Sequence, residues 1–314
     1  MAEIGIMIEG QEDLTWERFF RLAEAVEALG FAFLFRSDHL TSLNGFSKRE
    51  SLALWPSLTA LALRTHRIRF GPMVCSMTFR QPAMVAKMAA SVSVLSGGRL
   101  DLGVGAGWYG GEHKMFGHNF PPYSTRLEML AEGVTVIKAL WSGQATTFHG
   151  NHYRLEAAES YPLPVGATPT LIMGGKGAKT LQIVARHATE WNCSYVGLDT
   201  FKEKSAQLDA TCEAMGRDPT SLRRSVMIPF VVGLDAAGIQ GRIEAHRAMF
   251  PNLPGNLTGW RATGFVGGHP DEVVAQLKAF VSAGAARFML QHNDLDDLAS
   301  LELLANEVLP HFRR

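Results

Sequence analysis

Short apolar strands alternate with amphipathic helices from one end of this chain to the other, and few architectures tolerate that alternation. Two strands joined by a crossover helix pack in parallel with a right-handed connection, so a chain built of such units folds as an α/β protein. Strands are expected near 3–9, 31–36, 68–74, 99–104, 170–173, 189–194, 225–233 and 286–291. The helices between them carry apolar residues at helical spacing, as in Phe19, Leu22, Ala23, Val26 and Leu29 or Val273, Val274, Leu277, Phe280 and Val281. Gly30 and Gly284 follow those two helices as stops. Such a count in 314 residues implies a (β/α)8 TIM barrel, which takes about 250 residues before insertions. A hydrophobic fraction of 46% with only 19% charged residues suits its large core.

The chain reads as a single barrel domain over 1–314 with three segments beyond the minimum. Residues 107–123 are rich in Gly, His, Pro and aromatics; 142–168 contains His149-Gly150-Asn151-His152-Tyr153; 249–268 is dense in Gly and Pro. These are expected as insertions at the C-terminal face of the barrel, acting as lids and substrate contacts, because long loops in compact barrels usually carry function.

Lys+Arg and Asp+Glu balance at 30 each, so no net field draws nucleic acid, an acidic membrane or a polyanion from a distance. The expected partner is a small molecule held locally. Cys75, Cys193 and Cys212 are far apart, with no CxxC pair, which fits a reducing cytoplasm. The N-terminus begins at once with an apolar strand, and no window supplies the roughly 20 apolar residues of a membrane span.

Two glycine-rich runs follow strands. Gly103-Val104-Gly105-Ala106-Gly107-Trp108-Tyr109-Gly110-Gly111-Glu112 offers a backbone that a flat ring or phosphate can approach, although such a run by itself equally describes a turn. Gly174-Gly175-Lys176-Gly177-Ala178 leads into a helix from Thr180 to His187, so unpaired N–H groups and a positive helix end face outward, an arrangement suited to a phosphate. At the end of the second strand stands Ser37-Asp38-His39. An acid beside an imidazole there can form a proton-transfer pair, or simply a hydrogen-bonded loop histidine. His149 and His152 lie on a Gly/Asn-rich loop instead of a helix face, so no metal site is expected. Trp55, Trp141 and Trp191 are expected in packing roles.

Together these elements resemble the luciferase-like monooxygenase superfamily, and within it the oxidoreductases that use the deazaflavin coenzyme F420. The resemblance spans almost the whole chain. It rests on Ser37-Asp38-His39, Thr78-Phe79-Arg80-Gln81-Pro82, Leu95-Ser96-Gly97-Gly98-Arg99, the Gly103–Trp108 run with Glu112 and Gly117, Gly174–Gly177 with Ala185-Arg186-His187-Ala188, and Trp191-Asn192. The resemblance implies hydride transfer between reduced F420 and a small organic substrate, with an FMN-dependent monooxygenase or a non-catalytic flavin-binding barrel as alternatives. It further implies that Met73 and Val74 form a bulge backing the ring, often through a non-proline cis peptide. Ala106, Gly107 and Trp108 would line the ring, and Gly174, Gly175, Lys176, Gly177 and Ala178 would hold the phosphate. His39 would be the active-site histidine with Asp38 as its neighbour, and a homodimer would be the assembly. One departure stands out: some F420 dehydrogenases place a glutamate where this chain has Trp108, which leaves Glu112, one turn later, as the candidate carboxylate.

Overall fold

The computed structural model describes residues 2–166 and 168–313; Met1, Arg314 and Ala167, the last within the expected 142–168 insertion, lie outside them. The strands are β1 (Glu3–Ile8), β2 (Phe33–Arg36), β3 (Arg69–Pro72), β4 (Cys75–Ser76), β5 (Leu102–Gly105), β6 (Thr146–His149), β7 (Arg154–Ala158), β8 (Leu171–Gly174), β9 (Glu190–Ser194), β10 (Arg223–Val232), β11 (Val266–Gly268) and β12 (Arg287–Gln291). All but the antiparallel β6–β7 hairpin belong to one ten-stranded sheet, in the order β3-β2-β1-β12-β10-β9-β8-β5-β4, with β11 added to β10.

The sheet curls into a closed barrel. Phe70 of β3 bridges Leu100 just ahead of β5, its N–H donating to Arg99 O at 3.1 Å while the Asp101 N–H donates to Phe70 O at 2.9 Å. β3 and β4 are two halves of one stave, separated at Met73-Val74, and β11 merely extends the far end of β10 through Phe230 opposite Val266. Counted this way, eight parallel staves surround the axis, and the molecule is the (β/α)8 TIM barrel that the alternation predicts.

Strand side chains alternate between faces, so each stave serves two cores. Met7, Phe33, Phe35, Ile172 and Met289 fill the barrel. Ile4, Ile6, Ile8 and Leu34 point the other way, into the layer shared with the helices. Helix Trp16–Ala28 meets that layer with Phe19, Leu22, Ala23 and Val26, and Thr15 caps its start by accepting from the Arg18 N–H at 3.2 Å. Trp55, Trp141 and Trp191 are all buried, in the packing roles expected of them.

The N-terminal floor of the barrel is plugged by charge. Arg287, Asp101 and Glu190 are each 0% exposed. The Arg287 guanidinium donates to Asp101 Oδ2 at 3.1 Å and Glu3 Oε2 at 2.9 Å, stands 3.2 Å from Glu190 Oε2, and lies over the Phe33 ring.

The three long segments hold more regular structure than their composition suggests. Residues 107–123 contain helix Gly110–Met115; 142–168 contains the β6–β7 hairpin; 249–268 contains helix Leu257–Ala262 and β11. No helix among the described residues is long and apolar enough to cross a membrane.

Candidate active site

At the C-terminal ends of the staves lies a cavity of about 690 Å³. The chain leaves β2 extended, and neighbouring residues of an extended segment point to opposite sides. Asp38 and His39 accordingly find different partners. Arg80 grips Asp38 with two charge-assisted bonds, Nε to Oδ2 at 2.7 Å and Nη2 to Oδ1 at 2.5 Å. His39 pairs with Glu112 instead: its Nδ1 lies 2.9 Å from Glu112 Oε1, and the other carboxylate oxygen accepts the Leu40 N–H at 3.0 Å. The expectation that Asp38 is the acid working with His39 is therefore corrected, because the fold brings in Glu112 from helix Gly110–Met115 while Arg80 holds Asp38 away.

A carboxylate only accepts, so the Nδ1 of His39 carries the hydrogen and Nε2 is left for a ligand in the cavity that His39 lines. Burial pushes the His39 pKa down, but the Glu112 hydrogen bond and charge, helped by Glu9 and Asp38, outweigh it and raise the pKa above its usual value. Trp108, 65% exposed, stands edge-on to the imidazole with ring centres 5.6 Å apart.

Across the cavity, the Met73-Val74 peptide is cis, as the resemblance implies, and both residues line the wall. β5 comes so near this bulge that a Cβ on Gly105 would sit 2.5 Å from Val74 Cγ2, so only glycine fits there. Ala106, Gly107 and Trp108 continue the wall. Next to them a hydrogen-bond chain fixes the direction of one hydroxyl. The Nδ1 of His113 donates to Tyr109 O at 2.8 Å, so Nε2 accepts from the Thr78 hydroxyl at 2.7 Å, and Thr78 in turn accepts from Ser76 at 2.7 Å. Ser76, on the cavity wall, is thereby left presenting lone pairs.

The glycine run after β8 forms the third side. Gly174 and Gly175 line the cavity together with Thr180. Gly175 has φ +123°, and a Cβ on it would come within 2.5 Å of Thr180 Cγ2. Its carbonyl is pinned by the Trp191 indole N–H at 2.9 Å. Helix Ala178–His187 starts from Gly177 with no side-chain cap, so its first N–H groups stay open for an anion. Lys176, Gly177 and Ala178 lie beyond the wall itself, and the Lys176 ammonium donates back to Ser194 O at 3.1 Å.

Three wall residues were given no site role in the sequence reading. Glu9, at the end of β1, accepts from the side-chain amides of Gln11 at 2.8 Å and Gln291 at 2.5 Å. Tyr195, with φ +53°, donates to Gln291 Oε1 at 2.6 Å, and Asn192 stands beside it on the wall. A polar residue directly after a strand was the available signal for Glu9 and Tyr195, whereas Asn192 lies within β9. Of the long segments, 107–123 contributes Gly107, Trp108, Glu112 and Tyr123, and 249–268 contributes Phe250. Segment 142–168, expected to serve as a lid, contributes no wall residue among those described. Its His149 and His152 turn to different carboxylates, Glu156 and Glu128, at 2.9 and 3.2 Å.

With this geometry in view, known proteins are informative. The model of the luciferase-like monooxygenase family matches residues 2–287. The chain is 27% identical to the F420-dependent hydroxymycolic acid dehydrogenase of Mycobacterium tuberculosis, over 99% of this chain and 88% of that protein. It is 28% identical to the F420-dependent glucose-6-phosphate dehydrogenase of Mycobacterium avium, over 100% and 99%. Among solved structures, an F420-dependent secondary alcohol dehydrogenase in complex with an F420-acetone adduct superposes with a TM-score of 0.84 at 21% identity, covering 100% of this chain and 99% of that one.

Proposed function

The chain belongs to the luciferase-like monooxygenase family, and on that premise we propose that it is an F420-dependent oxidoreductase acting on a small organic substrate. Curated relatives over nearly the full length are F420-dependent dehydrogenases, and an uncapped helix start beside a glycine run on the cavity wall supports the reading. The single observation that carries the reading is the coincidence, around one cavity, of a glycine cradle at an open helix N-terminus and an imidazole held by a buried carboxylate.

The cradle passes a simple fit test. At Gly175 a side chain would strike Thr180, so the run keeps the main chain bare where a phosphate would approach, and the uncapped helix start adds its dipole. Gly174, Gly175, Gly177 and Ala178 would hold the phosphate, and Met73, Val74, Ala106, Gly107 and Trp108 would frame the ring. Bound there, F420 supplies the carbon that accepts or donates hydride.

The chain itself manages the proton. His39 Nε2 takes the hydroxyl proton when an alcohol is oxidised and returns it to the oxygen when a carbonyl is reduced. Glu112 fixes the tautomer that this requires and stabilises the imidazolium that forms. Asp38, tied to Arg80, holds the loop that carries His39. Three buried free cysteines support a reducing cytoplasm as the place of action.

His39→Ala tests the assignment. Turnover falls by about a hundredfold or more, the usual contribution of a general acid or base, while F420 affinity is nearly unchanged. Wild-type turnover in that variant removes His39 from the mechanism.

A further inference from the structure

The charge inventory of the cavity narrows the substrate. Its wall includes three carboxylates, Glu9, Asp38 and Glu112, and no lysine or arginine among the described residues. The cations nearby are already engaged. Arg80 is held by Asp38; Arg36, 1% exposed and not on the wall, donates from Nε to Ser37 O and from Nη1 to Ser57 Oγ, with its Nη2 buried and unpartnered behind the wall; Lys176 donates to Ser194 O. Arg126, between the wall residues Tyr123 and Leu127, directs its guanidinium to Pro121 O at 2.6 Å and over the Phe120 ring. Glu9 meets only the neutral amides of Gln11 and Gln291, so it faces the cavity as an acid without a paired cation.

The rest of the wall is largely apolar, with Leu43, Phe79, Leu127, Leu130, Met227 and Phe250. An anionic substrate would enter this space beside three carboxylates and leave its own hydration behind, with no lysine or arginine on the described wall to replace it. A cationic substrate would find each wall carboxylate already engaged, Glu9 by two amide donors, Asp38 by Arg80 and Glu112 by His39. Against this, a neutral hydroxyl or carbonyl oxygen finds His39 Nε2, and a hydrocarbon body finds the apolar wall.

We propose, resting on the oxidoreductase reading above, that the substrate is an uncharged alcohol or ketone with a mainly hydrocarbon body, and that the cavity excludes carboxylate- and phosphate-bearing molecules. Glu9 is the specificity residue that enforces the exclusion, and the F420 phosphate is accommodated because it lies at the glycine side of the cavity, where bare main chain and an uncapped helix start meet it.

The test compares cyclohexanol with its ring-carboxylate and ring-amine derivatives by isothermal titration calorimetry on protein loaded with F420. Cyclohexanol is expected to bind about tenfold or more tightly than either charged derivative. Glu9→Gln should narrow the gap to the carboxylate, and Leu43→Lys, which sets a cation on the wall, should bring the carboxylate to within about threefold of cyclohexanol. Binding of the carboxylate or the amine as tight as that of cyclohexanol overturns the proposal, and so does failure of all three to bind. A carboxylate still refused by Leu43→Lys overturns the electrostatic cause. Failure of F420 itself to load, read beforehand from its fluorescence, would contradict the cofactor reading and is seen separately from these outcomes.

Discussion

The two ends of the barrel hold similar side chains and use them differently. At the N-terminal floor, Arg287 meets Asp101, Glu190 and Glu3 in a cluster whose first three members are fully buried, and each carboxylate faces the same guanidinium. At the C-terminal mouth, Glu9, Asp38 and Glu112 surround open space, and only Asp38 meets an arginine. Glu112 meets a histidine and Glu9 meets amides. Charges that saturate one another stabilise a closed end of the fold. Charges paired with a titratable ring, or with neutral donors, keep their field for a ligand.

The largest effect should come from breaking the floor. Arg287→Met takes from the buried Asp101 one of its two arginines, Arg69 being the other, and leaves the buried Glu190 with only Arg223 at 3.9 Å; losing one partner of such a cluster costs about 3–5 kcal/mol. Chemical denaturation should show that loss, while F420 affinity of the folded variant stays near wild type. Equal losses in stability and in affinity would mean that the two ends are not independent.

At the mouth, Gly175→Val places branched carbons against Thr180 at a backbone angle of φ +123° and should weaken F420 binding by well over tenfold. Lys176→Ala should weaken it less, because the lysine turns to Ser194 O and an exposed charge is screened. Fluorescence titration of both variants, with thermal melting to confirm folding, checks the order. A larger effect from Lys176→Ala would shift the phosphate contact from backbone to side chain.

The smallest effect is a displacement in pH. Glu112 raises the His39 pKa against the opposing influence of burial, so in Glu112→Gln the imidazole should lose its proton at lower pH than in the wild type. The limb of the kcat/KM profile governed by His39 should move toward acid. A raised folded-state pKa also stabilises the fold below the unfolded value and loses that contribution as pH rises through the folded one. Wild type should therefore lose this part of its stability toward alkaline pH, and Glu112→Gln should not. An unmoved profile would detach Glu112 from His39.

Much of the barrel was legible because its staves are runs of apolar residues bounded by glycines and separated by helical spacing, the pattern of a parallel α/β fold. Val266-Gly267-Gly268 escaped notice, since one valine and two glycines carry no periodic signal and β11 exists only through its pairing with β10. The step from strand through Gly174–Gly177 into a helix was legible for a local reason: strand, glycines and helix start are contiguous. The partner of His39 was not, because Glu112 lies 73 residues away and the adjacent acid points elsewhere. Glu9 was hidden similarly, since its role depends on Gln291 at the far end of the chain.

The central claim is that the mouth of this barrel is built for a deazaflavin, and titration of the apoprotein with F420 and with FMN, each followed by fluorescence, tests it most directly. F420 should bind at least tenfold more tightly, a selectivity of about 1.4 kcal/mol. Equal affinity, or tighter binding of FMN, would contradict the account.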